Sequence, residues 1–501
     1  MKKVVYFMMA LGVMSCTQEE FNIGNPNQAD AARVLANAAD FQNFNISNHT
    51  NTFFSQISFN GIFFRGMADQ FTTTNAFRGF WFFCDQPRRQ IENTTANDDI
   101  GVQAAGPWNS FNSAINNANI VINNIENDAG EVIVSGLDVT QQELASAYFD
   151  KGVAQGYLAM IYDKAYIVDP DTDPSALEFS TYQEMLGAAI ENITTAIQLA
   201  NSADSFEYIL YTAGPSIDRS TFVQLANSYM ARLSIANPRT NAEAQGIDYN
   251  QILTYANNGI VEDYFPPALE NVIYNVLQDW SLTTLGDGSG YMPTDQKITR
   301  LFEPTYPADY PTDNTILPSI SSTDARLGLY YEYVGENFGF LRESRGRQLF
   351  SSYRTIKFFN QNDQNETGLP MGIFSKAEID YIKAECHYRL GNLGAAVAAL
   401  DASPRMTIGN QSTTPAAPNI LNALLYEVSI ELDLESGMGV PWAFMRRHDM
   451  LQAGTPTMYP VPASELEITR DALYTFGSPA AAGEVGTASG ANDWRNIDLV
   501  Y

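Results

Sequence analysis

The stretch FSKAEIDYIKAECHYRLGNLGAAVAALDASP, residues 374–404, restricts the fold more than any other. Apolar and small residues recur at helical spacing on both sides of Gly391, which ends the first helix in a sterically free position, and Pro404 follows the second helix. Ala384 and Ala396 stand one on each helix, where small side chains let the two backbones approach closely. A single pair of this kind leaves an apolar face that only further stacked pairs can cover.

Further pairs are present. Residues 141–166 (QQELASAYFDKGVAQGYLAMIYDKAY) and 180–200 (STYQEMLGAAIENITTAIQLA) flank a DPDTDPSA loop, and in the latter Met185, Ala188, Ala189, Ile193, Ala196 and Ile197 share one helical face. RSTFVQLANSYMARLSIA and DYNQILTYANNGIV form another pair around a loop with Pro238. Helical periodicity also runs through ADAARVLANAADFQNF, NTFFSQISFNGIFFRGMADQF and PWNSFNSAINNANIVINNIE, the last with Pro107 in its first turn. The pattern is the tetratricopeptide one, and three or more degenerate pairs favour a solenoid-like scaffold over an unrelated bundle. Residues from about 262 to 370 are rich in Pro, Gly, Tyr and Asp, and there loops and short strands with little helix are expected. The fold class that follows is mainly α: a tetratricopeptide-like helix-pair scaffold with irregular loop-rich insertions and little strand, residues 31–501 forming one domain.

The N-terminus reads MKKVVYFMMALGVMSCTQEEFN. Lys2 and Lys3, then an apolar core of about ten residues, form a secretory signal over 1–15, too short to span a bilayer. VMSC resembles the lipobox of bacterial lipoproteins, so Cys16 is expected to be acylated and residues 16–30 to form a lipidated tether; an ordinary signal peptide with a chance cysteine is the alternative. TQEE resembles acidic tags that send lipoproteins to the outer face of the outer membrane. Nothing downstream reaches the roughly 18 to 20 apolar residues of a spanning helix.

With 28 Lys and Arg against 57 Asp and Glu, the formal charge is −29, so a phosphate backbone is repelled and no nucleic-acid partner is expected. Beyond Cys16 only Cys84 and Cys386 remain, which excludes a disulfide scaffold, and a bridge between them is not suggested because Cys386 lies in a helical pattern. His49, His387 and His448 lie far apart without metal-ligand spacing, and HExxH, GxSxG, GxxxxGK[ST] and GxGxxG are absent, so no metal, no cofactor and no catalytic residue is expected.

Several of these segments together resemble the SusD/RagB nutrient-binding outer-membrane lipoproteins. The likeness covers nearly the whole chain: the lipobox at Cys16, PWNSFNSAINNANIVI, KAEIDYIKAECHYRLGN, and YEVSIELDLESG leading through PWAFMRR to YPVPASELE, in matching order. Glu427, Glu431 and Glu435 recur at four-residue spacing, and Pro460, Val461, Pro462 and Glu465 match the family's ending. The chain departs from the family at Trp442, flanked by Pro441 and Phe444 where members place an Arg and an Asp, which marks a divergent subfamily with a different local ion-pair network. The resemblance implies a lid on a SusC-like TonB-dependent transporter barrel, lipid-anchored in the outer membrane and cell-surface exposed. Such a lid captures an oligosaccharide or peptide and passes it on, and catalyses no reaction. A lipid-anchored hydrolase (glycosidase or peptidase) and a tetratricopeptide protein-interaction scaffold are the alternative classes.

The ligand site is expected in RGMADQFTTTNAFRGFWFFCDQPRRQ, where Phe77, Phe80, Trp81, Phe82 and Phe83 follow no period that lets one face bury them all. Phe80, Phe82, Phe83 and Cys84 are assigned to packing. Trp81 is the expected stacking face, with Arg78, Asp69 and Arg88 as charged partners for hydroxyls or carboxylates. Trp280 and Tyr291, in the irregular DWSLTTLGDGSGYM segment, supply an opposing wall, and Trp108 is assigned to structure.

Overall fold

The computed structural model describes residues 37–74, 77–96, 98–212, 214–269, 275–282, 292–311, 315–335, 351–358 and 370–501. The signal segment, Cys16 and the tether lie outside them. The described chain is mainly helical, and its strands form two-stranded antiparallel ribbons such as Glu207–Ile209 with Ser216–Asp218 and Tyr331–Tyr333 with Tyr353–Thr355. No described helix is long and apolar enough to cross a membrane.

The first helices are α1 (Ala38–Gln56), α2 (Gly61–Met67) and α3 (Asp98–Asn123). The sequence pattern divides α1 into two helices near residue 45, but the helix runs through. Its polar residues are buried and partnered: Asn45 donates to the Glu143 carboxylate at 2.7 Å, Asn48 to the Ala114 carbonyl at 3.1 Å, and His49 pairs with Asp150. Pro107 likewise sits inside α3 and not in a first turn, because the helix begins nine residues earlier at Asp98.

The repeats follow as α4 (Thr140–Ile161) with α5 (Tyr182–Ser202), and α6 (Arg219–Ala236) with α7 (Tyr249–Asn257). Thr181 and Glu184 form a capping box that starts α5. Met185, Ala189, Ile193 and Ala196 are fully buried against α4, with Ala188 and Ile197 at the margin of the stripe. Glycine sets the spacing: a Cβ at Gly152 would lie 2.6 Å from Ile193 of α5, and one at Gly156 would lie 2.3 Å from Leu233 of α6. After the middle segment, with short helices α8 (Val276–Leu282), α9 (Gln296–Phe302) and α10 (Arg326–Tyr330), come the paired α11 (Lys376–Arg389) and α12 (Leu393–Asp401), of which α11 packs onto α7. Ala384 and Ala396 are fully buried, and Gly391 turns between the helices at φ 78°. Then come α13 (Ala417–Ile430), α14 (Val440–Arg447) and α15 (Ala463–Thr469).

Buried charges join the irregular middle to the repeats. Arg326 bonds Asp324, Glu427 and Glu431, its Nη1 lying 2.7 and 2.8 Å from the two glutamates, while Arg405 also reaches Glu427. Glu431 and Glu435 lie past the end of α13, yet Lys357 holds Glu435 at 2.9 Å, so the four-residue carboxylate spacing marks a seam. Trp442, without its flanking ion pair, donates Nε1–H to the Pro456 carbonyl at 2.9 Å and carries the Arg446 guanidinium over its ring at 4.1 Å. Arg446 donates to the carbonyls of Ala236, Pro238 and Thr457, and Arg239 to those of Ala159, Tyr162 and Asn237. Two distant arginines thus cap the C-terminal ends of α6 and α4, where the helix dipoles are negative.

The tail returns to the start. Trp494 donates to Asp69 at 2.8 Å, Asn422 of α13 donates to the Asp498 and Val500 carbonyls, and Tyr501 donates to the Leu301 carbonyl of α9 at 3.1 Å.

Candidate functional site

The aromatic run folds as a 3-10 turn, Phe77–Phe83, against α2 and α3. Gly79 at φ 75° lets the chain reverse there, and the turn sorts its rings by direction. Phe80 and Phe83 point inward, with ring centres 5.8 and 5.2 Å from Phe63, and a Cβ at Gly66 would stand 3.2 Å from the Cys84 sulfur, so α2 and the turn meet closely. Burial pushes the Cys84 thiol far up, which removes it from thiolate chemistry, and both Cys84 and Cys386 are free.

Trp81 and Phe82 are half-buried at the surface, 4.9 Å apart. The Arg89 guanidinium lies 3.8 Å over the Trp81 ring, and its Nε donates to Asp85 at 2.5 Å. Indole, guanidinium and carboxylate therefore stand together at the surface, a stacking platform beside one donor group and one acceptor group. Phe82, expected to plug the scaffold, does pack against the core, and being only half-buried it also borders this surface set.

Asp69 and Arg88 do not. They form a buried ion pair beneath the turn, 1% and 4% exposed, and present no charge to a surface ligand, which corrects the expectation drawn from sequence. Asp69 also accepts from Gln452 at 3.0 Å and from Trp494, while Arg88 donates to Thr455 Oγ1 at 3.0 Å and to the Phe83 carbonyl at 2.7 Å. Burial disfavours the Arg88 charge, but Asp69 beside it, with Cys84 and Asp295, more than offsets this and holds the guanidinium protonated. The pair anchors the end of the aromatic turn to the C-terminal segment. Alongside, burial pushes the Asp295 carboxyl up and the Lys297 ammonium down, and Lys297 donates to Gln70 Oε1 at 2.6 Å.

Of the remaining expected site residues, the Arg78 and Trp280 side chains and the whole of Tyr291 lie outside the described residues. The backbone of Trp280 is on α8, whose neighbouring Ser281 accepts from Arg65 of α2 at 2.6 Å, so α8 and the Trp81 turn pack on the same helix. Trp108 is buried edge-on to Tyr162 and serves packing. Sequence reasoning missed Arg89 and Asp85, although Asp85 stands four residues before Arg89 in CDQPRR. Gln452, Thr455 and Trp494 carried no local signal, because each reaches the turn from the far end of the chain.

No family model matches this chain, and no curated protein matches it in sequence. Solved structures do match in fold. A SusD superfamily protein from Parabacteroides distasonis aligns at TM-score 0.61 and 11% identity over 87% of this chain and 98% of that one. A SusD-like carbohydrate binding protein from Bacteroides vulgatus aligns at TM-score 0.57 and 16% identity over 84% of this chain and 86% of the other. A SusD-like protein from Bacteroides fragilis aligns at TM-score 0.57 and 14% identity, covering 86% and 96%. Over more than four fifths of its length, then, the chain shares the fold of these solved SusD superfamily structures.

Proposed function

We propose that the protein is a cell-surface binding lipoprotein, anchored in the outer membrane through acylated Cys16. It captures an oligosaccharide at the Trp81 turn and delivers it to a SusC-like TonB-dependent transporter without catalysing a reaction. The observation that carries the binding reading is the surface set of Trp81, Phe82, Arg89 and Asp85, on a fold that a SusD-like carbohydrate binding protein shares. An indole face stacks on the apolar face of a sugar ring, and the charged pair serves its hydroxyls.

A glycan and peptide array probed with the purified protein identifies the ligand, and a peptide-only response would move the assignment to peptide capture. Assay of array hits for new reducing ends or amino termini separates binder from hydrolase. Metabolic labelling with a lipid probe should be lost in Cys16→Ala, and labelling that persists would sink the anchor.

A further inference from the structure

We propose that the cleft of about 270 Å³ between Arg239, Arg446 and the glycine-rich loop 483–489 binds an acidic sugar of uronic-acid size through its carboxylate. It shares no residue with the Trp81 turn, so the inference stands apart from the function proposed there.

Arg239 and Arg446 are 2% and 1% exposed, and among the described residues neither guanidinium has a carboxylate within ion-pair distance: the guanidinium hydrogen bonds go to main-chain carbonyls, while the Arg239 backbone N–H donates to Glu243 at 2.8 Å. A guanidinium has five N–H donors, so about two on each remain after the three carbonyl bonds. On Arg239 one of these is Nε, buried and without a partner. Ring faces fix both cations in place, Tyr182 at 4.1 Å from Arg239 and Trp442 at 4.1 Å from Arg446. Burial, then the neighbouring cations Arg239 and Arg447, pull Arg446 well down, and Tyr182 and Glu243 oppose this only in part.

A bare inorganic anion fits the rest of the lining poorly. Glu243, Asp449 and Glu484 also border the cleft, with the hydroxyl residues Thr240, Thr457 and Ser489. Carboxylates repel a small oxyanion but accept hydrogen bonds from sugar hydroxyls, whereas guanidinium donors take a carboxylate. A molecule with one carboxylate and several hydroxyls matches both halves. The cleft holds about nine waters at roughly 30 Å³ each, which is room for one pyranose ring.

Calorimetry and thermal melting of the full-length protein with glucuronate, galacturonate, glucose, galactose and sulfate test this. Saturable uronate binding that raises the melting temperature, with no response to neutral sugars and a weaker one to sulfate, is the expected result. Arg239→Gln should weaken uronate binding at least tenfold. Because Arg239 also caps α4, a second variant, Ser489→Glu, sets a carboxylate at an exposed position of the rim and should abolish uronate binding with melting unchanged. The proposal is overturned by absence of uronate binding, by equal response to neutral sugars or to sulfate, or by unaltered affinity in a folded variant.

Discussion

At the scale of single residues, neighbours in the sequence serve opposite purposes. Arg88 and Arg89 are adjacent, yet one is buried on Asp69 and the other lies over the ring of half-buried Trp81. Trp81→Ala should leave melting nearly unchanged and weaken binding of the array-identified ligand by about 1–3 kcal/mol, whereas Arg88→Ala, which strands the buried Asp69, should destabilise by about 3–5 kcal/mol in urea titrations. Equal effects of the two on stability would contradict this division. His448 gives a pH signature. Arg389 donates to its Nδ1 at 3.0 Å, so Nε2 carries the proton and donates to Glu385 at 2.9 Å. A neutral ring is therefore favoured, and burial pulls His448 down from 6.5 to about 4, with Glu385 opposing. A depressed folded value means that the unfolded chain binds the proton more readily, so the contribution of His448 to stability is whole above 6.5 and is lost as pH falls toward 4. The stability gap between wild type and His448→Gln should shrink between about pH 7.5 and about pH 5, and a gap that stays level refutes the assignment.

Among the elements, apolar periodicity made the repeats legible, since α5 and the α11–α12 pair bury the small and apolar residues their spacing selects. The sequence hid the continuity of α1 because much of its inward face is polar, and partners for Asn45 and His49 arrive from α4, about a hundred residues away. The aromatic turn could be located but not sorted: only the fold shows which rings α2 covers. Glycine spacing on α4 gives the firmest prediction at this scale. Gly156→Leu would drive a side chain into Leu233 and should lower stability by about 1–3 kcal/mol or more, as should Ala384→Leu at the fully buried face of α11. Melting that does not change in either variant would mean that the helices are spaced more widely than described.

For the whole molecule, the proposed delivery role needs a partner of a different architecture. Gentle purification of the tagged protein from outer membranes should recover a larger β-barrel protein with it, and repeated recovery of the tagged protein alone would argue against the lid. The surface such a lid offers depends on the body staying together, and here the returning tail matters. Because Trp494 grips Asp69 while α3 packs along α4, the polypeptide is a closed circuit in space although it is open in sequence. A nick in the exposed hairpin at Ser135–Gly136 would leave two pieces clasped at both ends, so the nicked protein should migrate as one particle. Under proteolysis, such a body outlasts the continuity of its own backbone.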